Sequence, residues 1–192
     1  MLAITWFSVS YVSYGIILSL GDLHGSIYIN GYISGAAIVA AQSLSGIMAE
    51  GLGRKTSLIF CFLVAGVACL LYTPLQSSGK VATYICLLLG KFGSSCAFTL
   101  IYLITTEVMP TVYRGTVFGF TNICARLGGI SAPLVNSAAQ SSFMYIFGAL
   151  GVMSGLLSFF LKETKGKLMA DRAEQSSLEN GKLKFSQSLG SA

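Results

Sequence analysis

Arg126, Lys91, Tyr14, Phe98 and Tyr102 each stand in a long apolar run, and each offers chemistry that its neighbours do not. Arg126 is centred in Cys-Ala-Arg-Leu-Gly-Gly-Ile-Ser-Ala-Pro, residues 124–133. Its guanidinium is permanently charged and presents forked donors that suit a carboxylate or a sulfate. Lys91, Ser95, Phe98 and Tyr102 follow one another at intervals of four, three and four, so they share one face of a helix, polar at one end and aromatic at the other. Tyr14, followed by Gly15, adds a phenol to an earlier apolar run.

This inventory suits binding, not bond breaking. The sequence has no Gly-rich phosphate loop leading into a helix with a Lys-Ser or Lys-Thr, no metal-ligand cluster and no nucleophile beside a histidine. Neither an enzyme nor a cofactor is expected. The one histidine, His24, sits in a Gly-rich stretch without a partner motif and reads as an exposed loop residue. Cys61, Cys69, Cys86, Cys96 and Cys124 all fall in apolar runs without a Cys-x-x-Cys pair, which makes them small packing residues.

Bulk composition names the environment that must position these groups. Hydrophobic residues make up 54% of the chain and charged ones 10%, against about 25% charged in a soluble domain. Mean hydropathy is +0.73. Ten of the nineteen charged side chains lie in residues 162–192, leaving the first 161 almost uncharged. Apolar segments at 2–20, 27–48, 57–75, 81–106, 115–137 and 142–161 are each about long enough to cross a bilayer as a helix. They lack the period-two alternation of barrel strands. The expectation is an all-α membrane protein with six transmembrane helices in residues 1–161, followed by a polar, disordered cytoplasmic tail over 162–192. Residues 1–20 have no basic n-region and no cleavage site, so they read as a retained helix and not a signal peptide.

Basic residues orient the spans. Arg54, Lys55 and Arg114, with Lys162, Lys165, Lys167, Arg172, Lys182 and Lys184, fall on one side, and Lys80 alone on the other. Both termini are therefore expected to be cytoplasmic. Lys91 precedes Glu107 by sixteen residues, or about 24 Å of helix, a depth open to two readings: a cation lining a pathway, or a lysine snorkelling to the outer interface. Arg126 follows Arg114 by twelve residues, about 18 Å, near the midplane, where insertion of arginine costs about 2.5–3.5 kcal/mol. No acid in the chain lies at that depth, so a wet cavity is favoured over an ion pair with another part of a larger protein. Asn122, Arg126 and Gly129 share a face, with Gly115 and Gly119 below, while Gly128, Gly129 and Pro133 loosen the backbone. Trp6 reads as part of an interfacial aromatic belt. Glu50, Arg54 and Lys55 in one loop, and Glu107 and Arg114 around another, are candidates for ion pairs that close an inner gate, or simply mark topology.

Several of these stretches resemble one known group. Gly46-Ile-Met-Ala49-Glu50-Gly-Leu-Gly53-Arg54-Lys55 is similar to the loop signature of the major facilitator superfamily. Trp6-Phe7 with Tyr14-Gly15, Gly90-Lys91, Phe98, Glu107-x-x-Pro110-Thr111-x-x-Arg114, Ala125-Arg126 through Pro133, and Lys162-Glu163-Thr164-Lys165-Gly166 then resemble, in order and spacing, the C-terminal half of the organic cation, organic anion and carnitine transporters. The resemblance covers residues 1–168. It implies two six-helix halves rocking about a central site, with only the second half present and the N-terminal six helices missing, as in a fragment or a truncated isoform. It also implies a multi-pass protein of the plasma membrane whose partners are a small organic ion and the bilayer, with no nucleic acid. Arginine at the Arg126 position is a feature of the anion and carnitine carriers, which points to an organic anion or zwitterion. Two departures stand out: Lys162 replaces the usual proline, and Ser13-Tyr14 replaces a tyrosine pair. The alternatives are a sugar-type carrier of the same superfamily, although its Gly-Pro-x-Pro-Trp and Gln-Gln-x-Ser-Gly runs are absent, and a membrane assembly half that transports nothing itself.

Overall fold

The computed structural model describes residues 2–21, 27–76, 79–139 and 143–160; His24 and the tail, 162–192, lie outside the described residues. Those described form six helices: α1 (Leu2–Gly21), α2 (Ile27–Gly51), α3 (Arg54–Gln76), α4 (Lys80–Val108), α5 (Thr111–Ala139) and α6 (Phe143–Leu157), the last continued by a 3-10 turn, Ser158–Phe160. No strand occurs among the described residues. Five of the helices are long and apolar enough to cross a membrane, α6 when counted through Phe160. The exception, α5, has 29 residues and so does not lack length. It carries Arg114, Asn122, Arg126 and Asn136 among its glycines, and such a composition calls for shielding from lipid.

The loop signature is mostly helical. Helix α2 runs on to Gly51 and α3 begins at Arg54, so the chain reverses in two residues. Gly53 takes φ 97°, in the left-handed region that only glycine enters without strain. Across this corner the Ser57 hydroxyl donates to the Met48 carbonyl at 2.8 Å, and the Leu52 N–H donates to the same oxygen at 2.9 Å.

Helix α1 packs on α5, α4 and α6; α4 packs on α3, α2 and α1; α3 packs on α6. Exchanging α1 with α4, α2 with α5 and α3 with α6 maps these neighbours onto themselves. Three crossings reverse direction, so the two triplets stand as an inverted structural repeat, invisible as a sequence repeat. The core has two layers. Trp6, Leu58, Phe62, Leu100, Ile101 and Ile104 fill the one nearer the charged end that holds Arg54 and Glu107. Tyr11, Ile16, Leu87, Met144 and Phe147 fill the other.

Helices in lipid gain nothing from excluding water from each other, so close contact must hold them together. Gly66 on α3 meets Gly148 and Gly151 on α6 so tightly that a Cβ on Gly66 would stand 2.8 Å from the Val152 nitrogen. Gly128 on α5 rests against the Phe7 carbonyl of α1. A neighbouring helix thus braces α5 beside its Gly-Gly pair, and the Ser131 hydroxyl donates to the Gly128 carbonyl at 2.9 Å, two residues before Pro133.

Candidate functional site

The candidate site spans the facing sides of α1, α4 and α5. Trp6 on α1 is fully buried, with its ring centroid 4.3 Å from that of Tyr102 and 6.1 Å from those of Phe98 and Phe118. Tyr102 in turn lies 5.3 Å from Phe98 and stacks on Phe118 at 5.8 Å. The indole N–H donates to the Thr105 hydroxyl at 3.1 Å, and that hydroxyl donates to the Ile101 carbonyl at 2.7 Å. This corrects the reading of Trp6 as an interfacial belt residue: a buried indole whose one donor is satisfied within the bundle belongs to the core. Tyr102 keeps 36% of its surface exposed, so the cluster has a rigid floor and an open edge.

Along α5, Phe118, Asn122, Arg126 and Gly129 follow at intervals of four, four and three and form one stripe. Phe118 ties its lower end to the aromatic cluster. At the upper end Gly129 receives the Tyr14 ring: a Cβ there would stand 2.8 Å from Tyr14 Cε2. Arg126 lies between the two and is exposed, with no ion pair among the described residues. Tyr14 is 43% exposed. The structure thus brings Tyr14, Arg126 and Tyr102 to one open surface with Phe98 behind them. On another side of the α1–α5 pair, a groove of about 250 Å³ lined by Ala3, Ile4, Phe7, Cys124 and Leu127 is wholly apolar.

Lys91 stands apart from that surface. Only 5% of it is exposed, and the adjacent Ser95 is also buried, so the polar end of its helix face is closed while the aromatic end is open. A lysine this deeply packed does not extend to an interface, which removes the snorkelling alternative. Glu50 and Glu107 are the only carboxylates among the described residues, and neither pairs with it.

At the charged end, Arg54 Nη2 and Nε both stand 3.1 Å from Glu107 Oε1. Arg54 opens α3 and Glu107 nearly closes α4, so each charge opposes its own helix dipole and complements that of its partner. Arg114 makes no such pair. Its Nη2 donates to the Met109 carbonyl at 3.3 Å, and its buried Nε has no partner. Glu50 is exposed, Lys55 is half-buried, and neither belongs to an ion pair among the described residues. Of the five charges singled out in the two loops, two meet.

With six helices in two inverted triplets and this loop geometry in view, the comparison with known proteins is decisive. The family model described as Major Facilitator Superfamily matches residues 1–188. The chain belongs to the Major Facilitator Superfamily.

Within the superfamily, the chain is similar to "Solute carrier family 22 member 6-B" of Xenopus laevis, at 34% identity over 174 residues, 89% of this chain and 32% of that protein. It is similar to "Solute carrier family 22 member 13" of Homo sapiens at 32% identity, over 86% of this chain and 31% of the relative. "Organic cation/carnitine transporter 2" of Homo sapiens is 28% identical over 88% of this chain and 31% of its own length. The chain spans about a third of the length of these curated relatives.

Two members of the candidate site escaped the sequence. Phe118 was recoverable, because it precedes Asn122 by one helical turn on the stripe already recognised. The Trp6 contact was not, since no spacing within one helix tells which helix will cover it.

Proposed function

We propose that this chain supplies the C-terminal six-helix half of a carrier that moves small organic ions across a membrane by alternating access, with an organic anion or zwitterion as the favoured substrate. The observation that carries this reading is the placement of Arg126: an exposed guanidinium midway along α5, between the Phe118 end of the stripe and the Tyr14 ring on Gly129. Such a face can hold the apolar body of an amphipathic solute on Tyr102, Phe98 and Tyr14, and its charged end on the guanidinium. Lys91, buried behind the face, adds positive potential without being open to the solute. An N-terminal six-helix half completes the cavity and covers the α5 surface that lipid does not suit.

In this reading both termini are cytoplasmic, the plasma membrane is the site of action, and residues 162–192 form a polar tail. Arg54 and Glu107 then brace the cytoplasmic ends of α3 and α4, and Glu50, Lys55 and Arg114 contribute to the same inner gate. Contacts made in one state and lost in the other set the balance between inward-facing and outward-facing forms. The names of the relatives, solute carriers and an organic cation/carnitine transporter, support the substrate class. The test is uptake by the complete gene product of labelled organic anions, organic cations, carnitine and glucose. Preferential uptake of anions or carnitine is expected. Uptake of glucose alone, or of nothing by a correctly inserted protein, contradicts the proposal.

A further inference from the structure

The helices form a row with a back. Helix α2 packs chiefly on α4, α4 on α1 and α1 on α5, while α3 and α6 stand behind the two middle helices. The other side of the row carries Tyr14, Tyr102 and Arg126 and is open. At the ends of the row neighbours are few: α2 is the least buried of the five apolar spans, at 22% against 39–61% for the others. Gly46 on α2 and Gly115 and Gly119 on α5 have room that the packed glycines lack, since a Cβ on any of them would meet nothing within 4 Å. Small residues at such positions let another helix approach closely.

The two ends also carry opposite charge. Glu50 is exposed in the last turn of α2, and Arg114 lies in the first turn of α5, at the same end of the bundle as Arg54 and Glu107. Neither belongs to an ion pair among the described residues, and the Arg114 Nε is buried without a partner. Within one chain two helices stand between them. A two-fold rotation about the membrane normal reverses the row, so each end of one copy falls on the opposite end of the other and Glu50 meets Arg114 at the same depth. Gly46 lies four residues from Glu50 and Gly119 five from Arg114, about 6 and 8 Å along their helices, so the open glycines coincide as well. We propose that the open side of the row is an isologous interface for a second copy of this chain, with α2 of each copy on α5 of the other and Glu50 of each paired to Arg114 of its mate. Any other occupant must bring its own acid and base to match the two ends, whereas a second copy has both. The two Arg126 side chains then stand three helix spacings apart, about 24–30 Å, where screening makes their repulsion small. Tyr14, Tyr102 and Arg126 of both copies face one shared cavity, so the candidate site is closed only in the pair.

The test reconstitutes the full chain, as donor-tagged and acceptor-tagged copies, in phosphatidylcholine vesicles at graded dilution and reads energy transfer. Unaltered copies are expected to associate, and Glu50→Arg alone or Arg114→Glu alone to need at least about tenfold more chain per lipid to do so. Mixing the two variants should restore the original association, because both contacts of the mixed pair then join opposite charges, which a contact within one chain could not achieve. A second readout does not depend on the charge variants. In a Cys124→Ser background, a bifunctional thiol reagent should join a Ser43→Cys copy to an Ile123→Cys copy, both positions being exposed at nearly one depth, and should not join Ser43→Cys to Ser137→Cys near the far end of α5. Transfer no greater than random proximity gives, as when lipid covers the face, no rescue on mixing folded variants, or equal joining at both α5 positions overturns the proposal. Uptake does not enter these readouts, so their failure leaves the carrier reading to its own assay.

Discussion

Glu107 reaches across from the end of α4 to Arg54 at the start of α3, with both Nη2 and Nε of the guanidinium 3.1 Å from one carboxylate oxygen. The pair joins the last turn of α4, in the second triplet, to the first turn of α3, in the first. Side-chain exposures of 22% and 15% keep it partly sheltered from screening.

Loss of the carboxylate leaves Arg54 at the unfavourable end of the α3 dipole. Glu107→Gln is therefore expected to lower the stability of the solubilised chain by about 1–2 kcal/mol, seen as an earlier thermal transition. The double exchange Arg54→Glu with Glu107→Arg should recover part of that loss, whereas pairing Glu107→Arg with Arg114→Glu should not, since Arg114 bonds the Met109 carbonyl.

Adjacent glycines on α5 should respond differently to the same added methyl. Gly128→Ala drives a Cβ into the Phe7 carbonyl, a backbone atom that cannot swing aside, and is expected to cost about 1–3 kcal/mol of stability. At Gly129 the obstacle is the far edge of the Tyr14 ring, which can rotate. Gly129→Ala should leave the melting temperature nearly unchanged and, on the proposed function, raise KM for transport by the complete carrier by displacing Tyr14. Equal melting losses for the two would refute the assignment.

The chain has one tryptophan, so Trp6 reports its own surroundings without interference. Thr105→Val removes the acceptor of its N–H and strands that donor in the core, at a cost of about 1–3 kcal/mol. Intrinsic emission is expected to be blue-shifted in the native chain and changed in the variant. Emission typical of a water-exposed indole in the native chain would contradict the burial.

Lys91 is buried without a carboxylate partner, an arrangement that helps a fold little. Lys91→Met should melt at the same temperature or higher while, on the proposed function, transport by the complete carrier falls. A Lys91→Met chain that fails to fold would instead make Lys91 structural.

The helices were legible because their signal is local: apolar runs predicted six elements, and six α-helices occur among the described residues. Their ends moved by only a few residues, as at α3, where Arg54 and Lys55 enter the first turn because the charge on Arg54 finds Glu107. The candidate site was legible as far as faces of single helices go, which is why the sequence could set Phe98 and Tyr102 on one helix face and Arg126 on the Asn122–Gly129 stripe of another. Partnerships between helices were not. Neither the Trp6 cluster nor the choice of Arg54 for Glu107 leaves a spacing that the sequence can reveal.

The central claim is that Arg126 selects solutes by charge, and the most direct measurement is uptake by the complete carrier with Arg126→Ala, run in parallel for a labelled organic anion and an organic cation of similar size. Losing one or more charge-assisted hydrogen bonds should reduce anion uptake by about tenfold to a hundredfold at unchanged surface expression, with cation uptake unchanged or increased. Anion uptake equal to that of the unaltered carrier would contradict the account.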